Sequence, residues 1–228
     1  MMGKILEARK ALEKIQSGQT LMVGGFGLVG APLTLIDELT QLDVYNLTII
    51  SNNLGEAGKG LGILLRQGKI KKAIGSYFTS NREVGDAYNK GEIDIQLLPQ
   101  GTFAESIRAG GAGLGGYYTR TGVDTELSKG KEIREINGVR YLFEPALTAD
   151  VALIKAHKAD KLGNLTYYKT GRNFNPIMAT AAKYVIAEVD EIVDTGALSP
   201  EEIVTPHLFV NAIVLSKKIL TKEGVVTR

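Results

Sequence analysis

The densest chemical signal in the first half of the chain is Val23-Gly24-Gly25-Phe26-Gly27-Leu28-Val29-Gly30-Ala31-Pro32. Gly25, Gly27 and Gly30 satisfy the spacing G-x-G-x-x-G between an apolar run and a helix start. In that setting backbone amides can approach an anion, and the helix N-terminus adds positive potential. Gly24, Gly25, Phe26, Gly27, Leu28, Val29 and Gly30 are therefore the candidate loop for a phosphorylated or carboxylated ligand. The alternative is that the glycines only permit close strand–helix packing. Two carboxamide positions follow. Asn52-Asn53 closes an apolar strand, and Gln100 in Pro99-Gln100-Gly101-Thr102 closes another. Ligands of open α/β sheets gather at such strand ends, where a neutral amide can donate to a carboxylate or a developing oxyanion. Consecutive strand residues point to opposite faces, so one asparagine of the pair is expected to face the site. Asn52 is favoured, with an ordinary Asn-rich turn as the structural alternative.

Several chemistries are excluded. No Gly-Lys-Ser or Gly-Lys-Thr follows the glycines, so the segment is not a P-loop. Ser51-Asn52-Asn53 stands where a dinucleotide fold would place a ribose-binding acid, which counts against a Rossmann-type nucleotide module. Cysteine is absent, which removes disulfides and thiolate chemistry. Only His157 and His207 carry imidazole, too few for a multi-histidine metal site in one chain, and no metal is expected. His157 reads as structural. Lys155, Lys158 and Lys161 could meet phosphates, although a solvated face is the simpler reading. A net charge of +2, spread along the chain, gives no basic face for nucleic acid.

The elements that must position these residues are short. Thr20–Val23, Leu47–Ile50, Ala73–Tyr77, Ile93–Leu98, Val151–Ile154 and Tyr184–Ala187 read as buried strands. Helices are expected near Ile5–Ile15, from Pro32 through Leu39, over Leu61–Arg66 and Arg82–Asn89, and from about Pro176 to Ala182. Apolar rather than alternating strands, separated by helices, imply a mostly parallel open sheet covered on both faces, a three-layer α/β fold. Gly110 to Gly116 reads as an inserted glycine-rich loop, either a mobile flap over the crevice or a tight fold against a partner. Asn137-Gly138 marks a hairpin after it. With 228 residues, 44% apolar and 23% charged, a single domain over 1–228 is expected. The N-terminus lacks a signal-peptide pattern and no stretch approaches the roughly 20 apolar residues of a membrane span, so the expected location is cytoplasmic.

Together these segments resemble the alpha-type subunit of the family I coenzyme A transferases. The resemblance rests on Gly24-Gly25-Phe26, Gly30 and Pro32, then Pro99-Gln100-Gly101-Thr102, Ile107 to Gly113 and Thr121-Gly122. It continues through Lys155 to Asp160, Gly163-Asn164, Arg172-Asn173-Phe174-Asn175-Pro176 and Ala187-Glu188-Val189. It implies the three-layer fold shared with sugar-phosphate isomerase-like proteins. It also implies ping-pong transfer of coenzyme A, a substrate rather than a bound cofactor, from a short-chain acyl-CoA to a carboxylic acid. In that family the nucleophilic glutamate stands in Ser-Glu-Asn-Gly on a beta-type subunit. That tetrapeptide is absent here, and Glu56 and Glu105 lack its context. The resemblance therefore implies a glutamate-bearing partner and an α2β2 assembly. It also places Gly24–Gly30 in the CoA or substrate loop, Asn52 or Asn53 in the oxyanion region and Gln100 beside the substrate. A stand-alone isomerase-like enzyme is the remaining alternative, disfavoured by the lack of a self-contained acid–base set.

Overall fold

The computed structural model describes residues 3–227. In chain order the elements are α1 (Ala8–Ala11), β1 (Thr20–Val23), α2 (Leu33–Thr40), β2 (Leu47–Ile50), α3 (Leu61–Arg66), β3 (Ile70–Gly75), α4 (Arg82–Asn89), β4 (Asp94–Leu97) and α5 (Gln100–Gly111). There follow β5 (Gly116–Thr119), β6 (Ile133–Ile136), β7 (Val139–Pro145), β8 (Ala149–Asp160), β9 (Leu165–Thr166), α6 (Asn175–Thr180), β10 (Ala182–Val193), β11 (Ala212–Leu215), β12 (Lys218–Thr221) and β13 (Gly224–Thr227). The main sheet runs β11-β10-β8-β1-β2-β3-β4, all parallel, with β9 antiparallel against β8.

The central strands β1, β2 and the middle of β8 are apolar on both sides because both sides are covered. Leu21 and Val23 pack with Ile49, Leu153 and the helices α1 to α4, whereas Met22 packs with Ile50, Ala152, Ile154 and the residues of α5 and α6. That period of two divides one strand between two cores. The sheet is thus the middle of three layers, as the sequence implied. Three-stranded β5-β7-β6 and two-stranded β12-β13 lie outside it, and Asn137-Gly138 makes the β6–β7 turn, both residues at positive φ.

The glycine-rich segment differs from expectation. Gly110 and Gly111 are not loop residues but the last turn of α5. A Cβ on Gly110 would lie 2.0 Å from the Leu147 carbonyl oxygen, and one on Gly111 would lie 2.1 Å from Thr180 Oγ1. These glycines let the helix press onto its neighbours. Gly113 (φ +74°) then ends it: the Leu114 amide returns to the Ala109 carbonyl and the Gly113 amide to that of Gly110, a Schellman stop.

Strand order reverses between β1 and β8, since the chain builds β1 to β4 outward, returns, and builds β8, β10 and β11 the other way. This is the switch point at which open α/β sheets hold ligands, and the glycine loop leaves β1 here. Gly24 N–H donates to the Leu153 carbonyl at 3.0 Å. Beside it, the fully buried Asn175 accepts from Lys155 N–H at 2.8 Å and donates to the carbonyls of Gly30 and Gly171 at 3.0 and 2.9 Å. Asn173 accepts from Gly25 N–H at 3.1 Å and donates to the Val29 carbonyl at 3.0 Å. A Cβ on Gly24 would sit 1.8 Å from Asn175 Oδ1, and one on Gly30 would sit 2.4 Å from the Gly171 carbonyl oxygen. The loop is clasped by the Arg172–Pro176 segment.

Beyond the loop, Glu188 of β10 is buried against the start of α2. It accepts from Thr34 N–H, Leu35 N–H and the Thr34 hydroxyl at 2.9, 3.1 and 3.0 Å, and from Ser216 at 3.0 Å. Burial pushes its pKa above the ordinary carboxylate range, against the opposing pull of Lys155 and these donors. At the other end of the switch point, Asp150 accepts from Thr20 N–H at 3.0 Å and from Lys183 Nζ at 2.9 Å. Those two donors, the Thr20 amide first, hold its carboxyl below the ordinary aspartate range.

Two predictions test this frame. Gly24→Ala should lower stability by about 3 kcal/mol by overpacking, whereas exposed Gly85→Ala in α4, with open space around it, should raise it by ~0.5–1 kcal/mol. Urea midpoints of the two variants should move in opposite directions. Asp150→Asn should cost roughly 1 kcal/mol at pH 7, the scale of a partly exposed charged hydrogen bond. Because Asp150 is depressed in the folded state, its contribution is present above the unfolded aspartate pKa and vanishes as pH falls through the folded value. The gap between wild type and variant should therefore close on acidification below about pH 4, and a gap independent of pH would contradict it.

Candidate functional site

The glycine loop presents a tight turn. Phe26 and Val29 exchange both backbone hydrogen bonds, at 2.9 and 3.2 Å, with Gly27 (φ +63°) at the first central position. That is the hairpin geometry that glycine makes accessible. Phe26 and Val29 project outward, 50% and 41% exposed. The amides of Gly27, Leu28 and Gly30 donate to no described group. The sequence expectation that the α2 N-terminus would add its potential to this loop is not met. Glu188 fills that terminus from inside the protein, so the potential is neutralised before a ligand arrives.

The three carboxamides converge. Asn52 Nδ2 donates to Ser76 Oγ at 2.8 Å and to Gln100 Oε1 at 2.9 Å, and Ser76 Oγ donates to Gln100 Oε1 at 2.7 Å. Asn53 Nδ2 donates to Asn52 Oδ1 at 3.3 Å, and Asn53 Oδ1 accepts from Gly55 N–H at 2.9 Å. The strands bring Asn52, Asn53 and Gln100 together, as the sequence implied, but not in the expected orientation. Asn52 is 0% and Asn53 5% exposed. The nitrogen of Asn52 is spent on Ser76 and Gln100, so it does not open on the crevice. Gln100, by contrast, is exposed, and with its oxygen taken by Asn52 and Ser76 its Nε2 donates to no described group. The serine was missed from sequence; a lone hydroxyl after a strand carries no signal of its own.

Gln100 is also the first residue of α5, whose N-cap position is Pro99 with no side-chain cap. Among the described residues, the N–H groups of Gln100, Gly101 and Thr102 meet no acceptor, and Phe103 N–H is the first to bond, to the Pro99 carbonyl. This helix end is open. Its positive potential and the Gln100 amide share one rim.

The other candidates are committed elsewhere. Glu56 pairs with Lys59 at 3.2 Å and Glu105 with Arg108 at 2.7 Å, both on the surface, and the Arg108 hydrogen bond holds Glu105 below the ordinary glutamate range. Lys158 and Lys161 pair with Glu191 and Asp194. Lys155 is held by Asp190 at 2.7 Å, and His157 Nδ1 lies 3.5 Å from the same carboxylate. A cavity of about 770 Å³ opens beside Val29 and Gly30, with Lys155, Lys169, Lys218 and Lys222 in its wall, a volume in the range of ligand pockets. No helix among the described residues is long and apolar enough to cross a membrane.

Known proteins of similar sequence and fold identify the family. A Helicobacter pylori subunit of succinyl-CoA:3-ketoacid coenzyme A transferase is 49% identical over 214 residues, 94% of this chain and 92% of that one. The alpha subunit of acetate CoA-transferase from Escherichia coli is 43% identical over 218 residues, 96% and 99% of the two chains. Among solved structures, an acyl-CoA transferase from E. coli O157:H7, a thioester complex with CoA, superposes with a TM-score of 0.84 at 22% identity. It covers 99% of this chain, which spans 50% of that longer one; at that identity the likeness speaks for the fold. Residues 5–216 match the family described as Coenzyme A transferase, and the chain belongs to that family.

Proposed function

We propose that this chain is the alpha-type, non-nucleophile subunit of a CoA-transferase and works with a beta-type subunit that carries the reactive glutamate. The observation that carries this reading is a rim made of donors alone: the outward amide of Gln100 and the open N–H groups of α5. Such a rim favours a carboxylate or a developing oxyanion and brings no nucleophile of its own. The carboxylates that sequence left as rivals are in surface ion pairs.

In this reading the partner's glutamate attacks the thioester carbonyl of a short-chain acyl-CoA such as succinyl-CoA or acetyl-CoA. The C–S bond breaks, CoA thiolate leaves, and an acyl-glutamyl anhydride remains. The thiolate then attacks the glutamyl carbonyl and expels the carboxylic acid, giving glutamyl-CoA. A second acid, such as acetoacetate, acetate or butyrate, reverses the sequence. This chain supplies Gln100 to hold the carboxylate or the oxyanion, and the turn Gly24–Gly30, with the free amides of Gly27, Leu28 and Gly30, lies against CoA or the substrate. Coenzyme A enters and leaves as a substrate, and no resident cofactor is needed. The chain acts within an α2β2 assembly in the cytoplasm, and as one domain, the latter supported by a main sheet that draws strands from residue 20 to residue 215.

The test is expression of the chain alone and together with a beta-type subunit, following CoA exchange between succinyl-CoA or acetyl-CoA and acetoacetate. The isolated chain should be inert and the pair active. Borohydride should reduce the glutamyl thioester only on the partner. Turnover by the isolated chain, or a trapped thioester on one of its own carboxylates, would overturn the divided site.

A further inference from the structure

Carboxamide nitrogen and oxygen differ in what they bond to, so a row of carboxamides has a direction once one end is fixed. Here the fixed end is a backbone N–H. The Gly55 amide can only donate, and it donates to Asn53 Oδ1 at 2.9 Å. Asn53 must then turn its nitrogen to Asn52, whose Oδ1 accepts at 3.3 Å. Asn52 in turn presents nitrogen to Ser76 Oγ and Gln100 Oε1, at 2.8 and 2.9 Å. Ser76, having accepted from Asn52, donates its hydrogen to Gln100 at 2.7 Å. Gln100 therefore keeps its oxygen inside and its nitrogen outside.

The backbone holds this row in place. The Asn52 carbonyl accepts from the amides of both Ser76 and Tyr77, at 3.2 and 3.0 Å. Gly75 lets the end of β3 come close enough, since a Cβ there would lie 2.2 Å from the Ser51 carbonyl oxygen. Turning the Gln100 amide over would set its nitrogen against the Asn52 nitrogen, two donors without an acceptor between them. Turning Asn52 over would do the same against Asn53.

We infer that Asn53, Asn52 and Ser76 form a polarity relay, anchored on the Gly55 amide, that keeps the Gln100 carboxamide donor-outward toward an oxygen of the carboxylate or thioester substrate. The inference rests on the role proposed for Gln100. Ser76 and Asn53 are positioning residues that act through Gln100 and touch no substrate. A site built this way accepts an oxygen with lone pairs and rejects a donor at the same position.

The test uses the chain assembled with its beta-type partner, with succinyl-CoA and acetoacetate as substrates. Ser76→Ala should lower kcat about 10-fold with KM for acetoacetate little changed, the pattern of a donor that strengthens in the transition state, and Ser76→Thr should restore it. Asn53→Asp still accepts from Gly55 but offers Asn52 a second acceptor. It should turn Asn52 and then Gln100 over, with a loss of about 10²-fold in kcat, the scale of a lost oxyanion donor. In a Gln100→Ala background both substitutions should cost nothing further. If Ser76→Ala and Asn53→Asp cost the same factor with and without Gln100, the relay is wrong while the role of Gln100 stands. If Gln100→Ala alone leaves turnover unchanged, the donor role fails and the relay fails with it.

Discussion

The carboxamide of Asn175 fills the space beside β1 that a side chain at residue 24 would need, and bonds to Lys155 N–H in β8 and to the carbonyls of Gly30 and Gly171. Packing and hydrogen bonding are here one constraint. Remove the glycine's small size and the carboxamide has no room; remove the carboxamide and buried backbone groups lose their partners. Because β1 and β8 pair directly where strand order reverses, this clasp fixes the loop that leaves β1 against β8 at the point where a ligand would enter. The glycine loop, the turn at Phe26–Val29 and the entry to α2 all take their places from it.

Two helix ends near this crossing have opposite fates. α2 begins on a buried glutamate, which closes its N–H groups from within and spends the positive end of the helix on structure. α5 begins on a proline that supplies no cap, and its first N–H groups stay open beside Gln100. The helix macrodipole concentrates its effect within the first turn, so only α5 can offer it to a ligand. The glycine loop is left with a few backbone amides and exposed apolar side chains, a surface suited to close approach more than to a concentrated negative charge.

Much of this was legible in the sequence, and the limits have physical causes. Apolar strands bounded by glycine, proline and asparagine gave the parallel sheet, and strand ends gave the region of Asn52, Asn53 and Gln100. The helix α5 escaped detection because Gly110, Gly111 and Gly113 read as loop when two of them permit close packing and the third is a helix stop. The strands β8 and β10 run 12 residues each, far beyond their apolar centres, because their ends carry charged pairs such as Lys158–Glu191. The occupation of the α2 terminus by Glu188 joins residues 154 apart, a contact no local pattern can announce. Which asparagine would face the crevice could not be settled by alternation, because both lie beyond the last residue of β2, where hydrogen-bond direction decides.

The same reasoning bears on the proposal that the reactive acid stands on another polypeptide. A nucleophilic carboxylate must be poorly solvated and unpaired to attack a thioester. Next to an open helix N-terminus and a carboxamide donor, a glutamate of this chain would bond to those donors, as Glu188 does at α2. Donors on several sides hold that carboxylate as a buried structural anchor. In the proposed division of the site, one chain keeps its donors aimed at the substrate while the other keeps its carboxylate free of them until the two surfaces meet.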